Sequence, residues 1–226
     1  MKPSLLTVIF SIMVSFLWAQ CPDLKLPKQG KNLQSFVPSM WFVRDSVSGD
    51  FNLDGLKDYV VVLAPKMEEE ASEYECNRPI LILQRTKEGY NLSSFTRNGV
   101  LCKQCGGVWG DPYAGMSMKN NVLEINHYAG SNWRWGINTT FRFQKNQWHL
   151  IGYSYQSYFI AGECEDVGSA AFNQYEANFS TNKAHIVNTK DDACEPYREV
   201  WKVFAKRAPV LFQQYTIEKD YFPLKK

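Results

Sequence analysis

The stretch that sets the fold class is Trp133-Arg134-Trp135-Gly136-Ile137-Asn138-Thr139-Thr140-Phe141-Arg142-Phe143-Gln144, followed by Lys145-Asn146 and Gln147-Trp148-His149-Leu150. Trp133, Trp135, Ile137, Thr139, Phe141 and Phe143 alternate with Arg134, Gly136, Asn138, Thr140, Arg142 and Gln144, which is the period of a half-buried strand. Lys145-Asn146 suits a two-residue turn, because Asn tolerates positive φ. Folding there sets Phe143 opposite Trp148, Arg142 opposite His149 and Phe141 opposite Leu150. Both apolar pairs then share one face. The phase shifts after Leu150, since Tyr153 and Tyr155 are odd, so Ile151-Gly152 reads as a bulge. On this alternation Trp133 and Trp135 face the core and Arg134 the other side.

Outward from this hairpin the pattern repeats. A turn at Asn120-Asn121 inside Tyr113–Tyr128 pairs Met118 with Leu123 and Met116 with Ile125. Val60–Leu63 and Ile80–Leu83 are short continuous apolar runs, as expected of central strands. The acidic segment Glu68–Glu75 joins them and reads as a solvated hairpin tip. A turn at Lys87-Glu88-Gly89 leads into Tyr90–Phe95, and Gln174–Asn188 folds back at Thr181-Asn182-Lys183. Tyr197–Ala205 suits strand or helix. Phe36–Val43 reads as a helical turn limited by Pro38. The expectation is a mainly β chain, with antiparallel hairpins forming one sheet-rich domain, a sandwich or partly open barrel, and little helix. No repeat of 20–50 residues is present, which excludes a β-propeller with its several similar blades.

Residues Met1–Ala19 read as a signal peptide: Lys2 is the only charge, Leu5–Leu17 are apolar, and Leu17-Trp18-Ala19 resembles a cleavage site. The apolar run is shorter than the ~20 residues a membrane span needs. Residues 20–226 then form one domain, exported to a periplasmic or extracellular compartment. A lipid anchor at Cys21 is disfavoured by Gln20, where bacterial lipobox sequences carry a small residue. The formal charge of +2 falls to +1 without Lys2. Such a balance argues against nucleic acid as a partner, which needs a concentrated basic patch.

The chain has six cysteines, Cys21, Cys76, Cys102, Cys105, Cys164 and Cys194. An even count in an exported chain points to disulfides, with a connectivity the sequence leaves open. Cys102-Lys103-Gln104-Cys105 lacks the second ligand pair of a zinc site. Gly106-Gly107 after it opposes the helix of a redox motif.

Asp50-Phe51-Asn52-Leu53-Asp54-Gly55-Leu56-Lys57-Asp58 carries the most specific chemistry. Asp50, Asn52, Asp54 and Asp58 would offer side-chain oxygens and Leu56 its carbonyl, with Gly55 at the sharp turn, in the manner of a structural Ca2+ loop. The bland alternative is an Asx-rich turn before a strand. With Val61 at the twelfth position the loop departs from an EF-hand, which carries a glutamate there. Asp50–Leu63 resembles the FG-GAP or VCBS-type loop of secreted bacterial and integrin-like proteins. Leu101-Cys102-Lys103-Gln104-Cys105-Gly106-Gly107 through Asp111-Pro112, with His127–Trp135, is similar to a group of uncharacterised bacterial exported proteins carrying one such loop. The resemblance spans roughly Pro38–Tyr158. It implies export and calcium, and no activity.

His127-Tyr128-Ala129-Gly130-Ser131-Asn132-Trp133-Arg134-Trp135 joins two hairpins at a sheet end and supplies His127, Asn132 and Arg134 as ligand or partner contacts. A hydrolase centred on His127 could pair it with Ser131 or an Asp, but Ser131 has no nucleophile-elbow surroundings. A lone His in phase with Ile125 is more often a core residue. No catalytic residue is therefore assigned. The sequons at Asn91, Asn138 and Asn178 matter only in a eukaryotic host. The expected protein is exported, disulfide-bonded, calcium-stabilised and non-enzymatic, and binds an unknown protein or glycan. A glycan- or protein-binding module using residues 127–135, such as an inhibitor of an envelope hydrolase, and a hydrolase are its rivals.

Overall fold

A computed structural model describes residues 21–70, 74–160, 170–189 and 195–224. The signal-peptide reading, Cys164, Cys194 and Glu73 of the acidic segment lie outside the described residues.

The described residues form twelve strands: β1 Gln29–Gly30, β2 Trp41–Gly49, β3 Asp58–Pro65, β4 Arg78–Arg85, β5 Tyr90–Val100, β6 Tyr113–Lys119, β7 Val122–Gly130, β8 Trp133–Gln144, β9 Gln147–Phe159, β10 Ala170–Asn178, β11 Lys183–Thr189 and β12 Pro196–Val203. They build a five-stranded sheet, β1-β5-β4-β3-β2, and a seven-stranded sheet, β12-β11-β10-β9-β8-β7-β6. Every pairing is antiparallel. The sheets do not close into a barrel. Among the described residues helix is limited to one turn, α1 Met67–Glu70, and three short 3-10 turns.

The β8–β9 hairpin has the expected register: Phe143 opposes Trp148, Arg142 opposes His149 and Phe141 opposes Leu150. Lys145 and Asn146 both have positive φ, 52° and 60°, as a primed turn requires. Ile151 is the bulged residue, since Thr140 pairs with Gly152 and Phe141 with Leu150. The β6–β7 hairpin also follows expectation, with Met118 opposite Leu123 and Met116 opposite Ile125. Pro196–Val203 is strand. Two local expectations change. The 3-10 turn is Leu33–Phe36, capped by Asn32, whose side chain accepts from the Ser35 amide. Trp41 then already opens strand β2, so Phe36–Val43 is not the helical turn.

The central strands β3 and β4 of the five-stranded sheet are buried on both faces, which explains their unbroken apolar runs. Val60, Val62, Ile80 and Ile82 pack toward the larger sheet with Leu123, Ile125, Phe141 and Trp148. Val61, Leu63, Leu81 and Leu83 pack the other way, under Leu24, Phe36 and Tyr74. The C-terminal tail puts Phe204, Phe212, Tyr215, Ile217, Tyr221 and Phe222 into the shared core. It bonds to both sheets: Ile217 N donates to Asn98 O of β5, and Leu150 N of β9 donates to Val210 O.

Trp133 is a correction. It is on the predicted face of β8 but is 51% exposed. Phe141 and Thr139 of that face are wholly buried, Ile137 and Trp135 partly so, and the Trp133 ring lies 5.4 Å from that of Phe159. The strand outruns the sheet that covers it.

Candidate functional site

Cys21 is bonded to Cys76, and Cys102 to Cys105. No cysteine among the described residues is free. The Cys21 sulfur cannot both hold this disulfide and carry a thioether lipid. Two disulfides are compatible with an exported protein. Among the described residues no helix is long and apolar enough to cross a membrane.

The Asp50–Asp58 loop is a tight turn that passes through positive φ at Leu53 (61°) and Gly55 (83°). The Asp50 carboxylate accepts from the Asp54 and Gly55 amides at 3.1 and 2.8 Å, and Asp54 accepts from the Leu56 amide at 2.8 Å. Asn52 donates to Asp54. Asp58 is fully buried and accepts from the Phe51 and Arg85 amides at 3.1 and 2.7 Å. Burial raises its carboxyl above the ordinary range, the two amides oppose this, and the Asp54 and Asp50 charges add to it. The donors are hard oxygens of the kind calcium takes. The carboxylates are engaged by backbone amides, however, and among the described residues no three His, Cys, Asp or Glu side chains gather into a metal-holding group.

The loop's apolar residue Phe51 plugs the core beside Phe143 and Trp148, with ring centroids 4.8 and 5.1 Å away. The turn thus docks one sheet on the other.

The three contact candidates of the 127–135 segment are not brought together. His127 is only 3% exposed. Its Nε2 accepts from the Leu101 amide at 3.4 Å, and its Nδ1 is buried without a partner. Burial pushes its pKa down to about 4, with the Asp111 charge opposing and Arg78 adding to the fall. Ser131 is exposed in the β7–β8 turn, so the His127–Ser131 pairing of a hydrolase is not formed. Asn132 is exposed, and its carbonyl accepts from Ile160 N.

Beneath His127 lies a charged network that sequence reading missed. Arg78 is fully buried and grips Glu68 and Asp111, two hydrogen bonds to each, at 2.9–3.1 Å. Arg44 joins Asp111 at 3.2 Å, and the Tyr113 hydroxyl donates to Asp45 at 2.7 Å. Burial alone would raise Asp111; the hydrogen bonds and charge of Arg78 outweigh it and hold the carboxyl below its usual range. Glu68, only 3% exposed, therefore corrects the solvated reading of the acidic segment. The one available signal was a lone Arg opening an apolar strand run.

Arg134 stands on the outer face of the seven-stranded sheet. It lies 4.6 Å over the Trp109 ring and donates to Gly130 O. Trp109 meets Tyr128 edge-on at 5.1 Å, and the Tyr128 and Tyr158 hydroxyls are 2.7 Å apart. Below this cluster the pairing aligns Asn126, Asn138, Ser154, Glu176, His185 and Trp201, one from each of β7 to β12. Asn138 donates to Asn126, while His185 Nδ1 sits 3.7 Å from Glu176 and its ring stacks on Trp201 at 4.3 Å. Trp201 is 67% exposed. A groove of about 620 Å³ runs along this row from Asn138 to Trp201. Gly152 lowers its floor, since it puts no side chain on a face otherwise set with amides, hydroxyls and carboxylates.

These features define a two-sheet β protein stapled by disulfides, with one polar sheet face left open between aromatic ends. Comparison with protein-family models, curated proteins and solved structures finds no match.

Proposed function

We propose that this chain is an exported, non-enzymatic glycan-binding protein that uses the outer face of the seven-stranded sheet. The observation that carries the reading is the aligned row from Asn126 to Trp201. Amides, a hydroxyl, a carboxylate and an imidazole lie along a groove, and an exposed indole at its end offers a flat apolar face. Sugars present that combination of hydroxyl edges and C–H faces, and Trp supplies rigid contact area with a polar tip. The Trp109–Arg134–Tyr128–Tyr158 cluster extends the surface toward residues 127–135. A hydrolytic role loses its support because His127 is enclosed.

Calcium belongs to this proposal as a stabiliser. Asp50, Asn52, Asp54, Leu56 and Asp58 would hold it. Their oxygen spacing and three like charges within one loop support the ion, and a cation bound only by the folded chain stabilises it by linkage. The signal-like Met1–Ala19 and the disulfides support export.

The test is a glycan array on the purified mature chain, followed by calorimetry with the best oligosaccharide. Trp201→Ala should weaken binding at least ~10-fold, as the loss of an aromatic anchor does, with an unchanged melting temperature. No glycan binding by the wild-type protein, or full binding by Trp201→Ala, would overturn the reading. For the loop, calcium heat should appear at millimolar concentration and vanish in Asp54→Ala.

A further inference from the structure

We propose a second, separate binding site for an amphiphilic organic anion, an acidic head on an apolar chain. It is the cavity between the tip of the β8–β9 hairpin, the β10–β11 turn and the C-terminal tail. The cavity measures about 570 Å³, within the ~300–1,000 Å³ range of small-molecule sites. None of its lining residues belongs to the Asn126–Trp201 row, so it stands or falls independently of the glycan reading.

Two chemistries meet there. The inner wall is apolar: Leu150, Phe204 and Tyr221 are at most 6% exposed, and Ile151, Phe179 and Val210 complete it. The mouth is cationic, with exposed Lys145, Lys206, Arg207 and Lys219 against the single carboxylate of Asp220. None of these four cations forms a salt bridge among the described residues. Arg207 is tied to Pro223 O, and Lys219 lies over the Tyr221 ring. Asp220 accepts from the Phe222 amide at 2.9 Å and also bonds the Tyr153 hydroxyl, so it does not neutralise the mouth.

His149 completes the inner wall and is itself buried. An acidic head would lie among Lys206, Lys219 and Lys145, with its chain along Phe204, Leu150 and Phe179. A neutral amphiphile would leave the cations unused, and a cationic one would be repelled.

The experiment is calorimetry on the mature full chain with dodecanoate, dodecyl phosphate, dodecanol, dodecyltrimethylammonium and inorganic phosphate, all below micelle formation. Dodecanoate or dodecyl phosphate should bind at least ~10-fold tighter than dodecanol, the scale of one charge-assisted contact. The ammonium and inorganic phosphate should bind more weakly still. The double variant Lys206→Glu, Lys219→Glu changes only exposed side chains and should keep its melting temperature. It should lose the anion preference and leave dodecanol binding unchanged. Equal binding of dodecanoate and dodecanol, equal binding of inorganic phosphate, or no binding of either anionic amphiphile would overturn the proposal using the wild-type protein alone. An anion preference that persists in the double variant would overturn it too.

Discussion

Arg78 is the residue whose loss should be felt most. Its guanidinium is fully buried and forms four hydrogen bonds to Glu68 and Asp111. Replacing the arginine strands two carboxylates in a low-dielectric site, and breaking a buried pair this way costs about 3–5 kcal/mol. Chemical denaturation of Arg78→Ala should show a loss of that order. Arg78→Met together with Glu68→Gln and Asp111→Asn should recover part of it. His127, on the same side of the core, makes stability depend on pH. Its folded pKa is about 4, against an ordinary 6.5. Between those values the unfolded chain takes up a proton that the folded chain refuses. The contribution is complete above about pH 6.5 and falls as the pH drops toward 4, by on the order of 3 kcal/mol. Thermal melts from pH 7 to pH 4.5 should decline for the wild type and flatten in His127→Gln. The lowered carboxyl of Asp111 is lost only at still lower pH, as it protonates.

Among the elements, the β7–β8 hairpin depends on one glycine. Gly130 has φ of 118°, and an added Cβ would meet Trp133 O at 2.0 Å. Neither the conformation nor the contact admits a side chain. Gly130→Ala should therefore lower the melting temperature and disturb the Arg134–Trp109 contact. Glycan binding should fall with it if the outer face is the site. The long β8–β9 hairpin separates two tryptophan roles that alternation cannot distinguish. Trp148, opposite Phe143 and 1% exposed, is core; Trp133, 51% exposed, is not. Trp148→Ala should cost about 3–5 kcal/mol, the range for truncating a large buried aromatic. Trp133→Ala should leave the melting temperature almost unchanged.

For the molecule as a whole, the C-terminal tail is as much a part of the core as any strand. Phe212 is wholly buried against Phe141, and Tyr221 and Phe222 pack on Tyr153 and Tyr175. Deleting residues 204–226 uncovers the aromatic face of the seven-stranded sheet. The truncated chain should lose cooperative melting and bind a hydrophobic dye. A truncation that melts as sharply as the full chain would mean that the two sheets stabilise each other without the tail.

Local order in this protein was legible from residue patterns. The hairpin registers around Asn120-Asn121 and Lys145-Asn146, the Ile151 bulge and the central β3 and β4 all follow from side-chain period and turn chemistry, which act between near neighbours. The even cysteine count pointed to disulfides, while the partners of Cys21 and Cys102 emerged only with the chain folded. Long-range packing was equally hidden. How far the smaller sheet covers β8 decides that Trp133 is exposed, although its phase is right. Glu68 lies 10 and Asp111 33 residues from Arg78, and nothing local marks the three as a buried group. The row from Asn126 to Trp201 takes one residue from each of six strands, so it exists only once the sheet has its register. The anion cavity likewise depends on where the tail crosses β9. Short-range periodicity specifies strands and turns; burial, ion pairing and composite surfaces arise where distant segments meet.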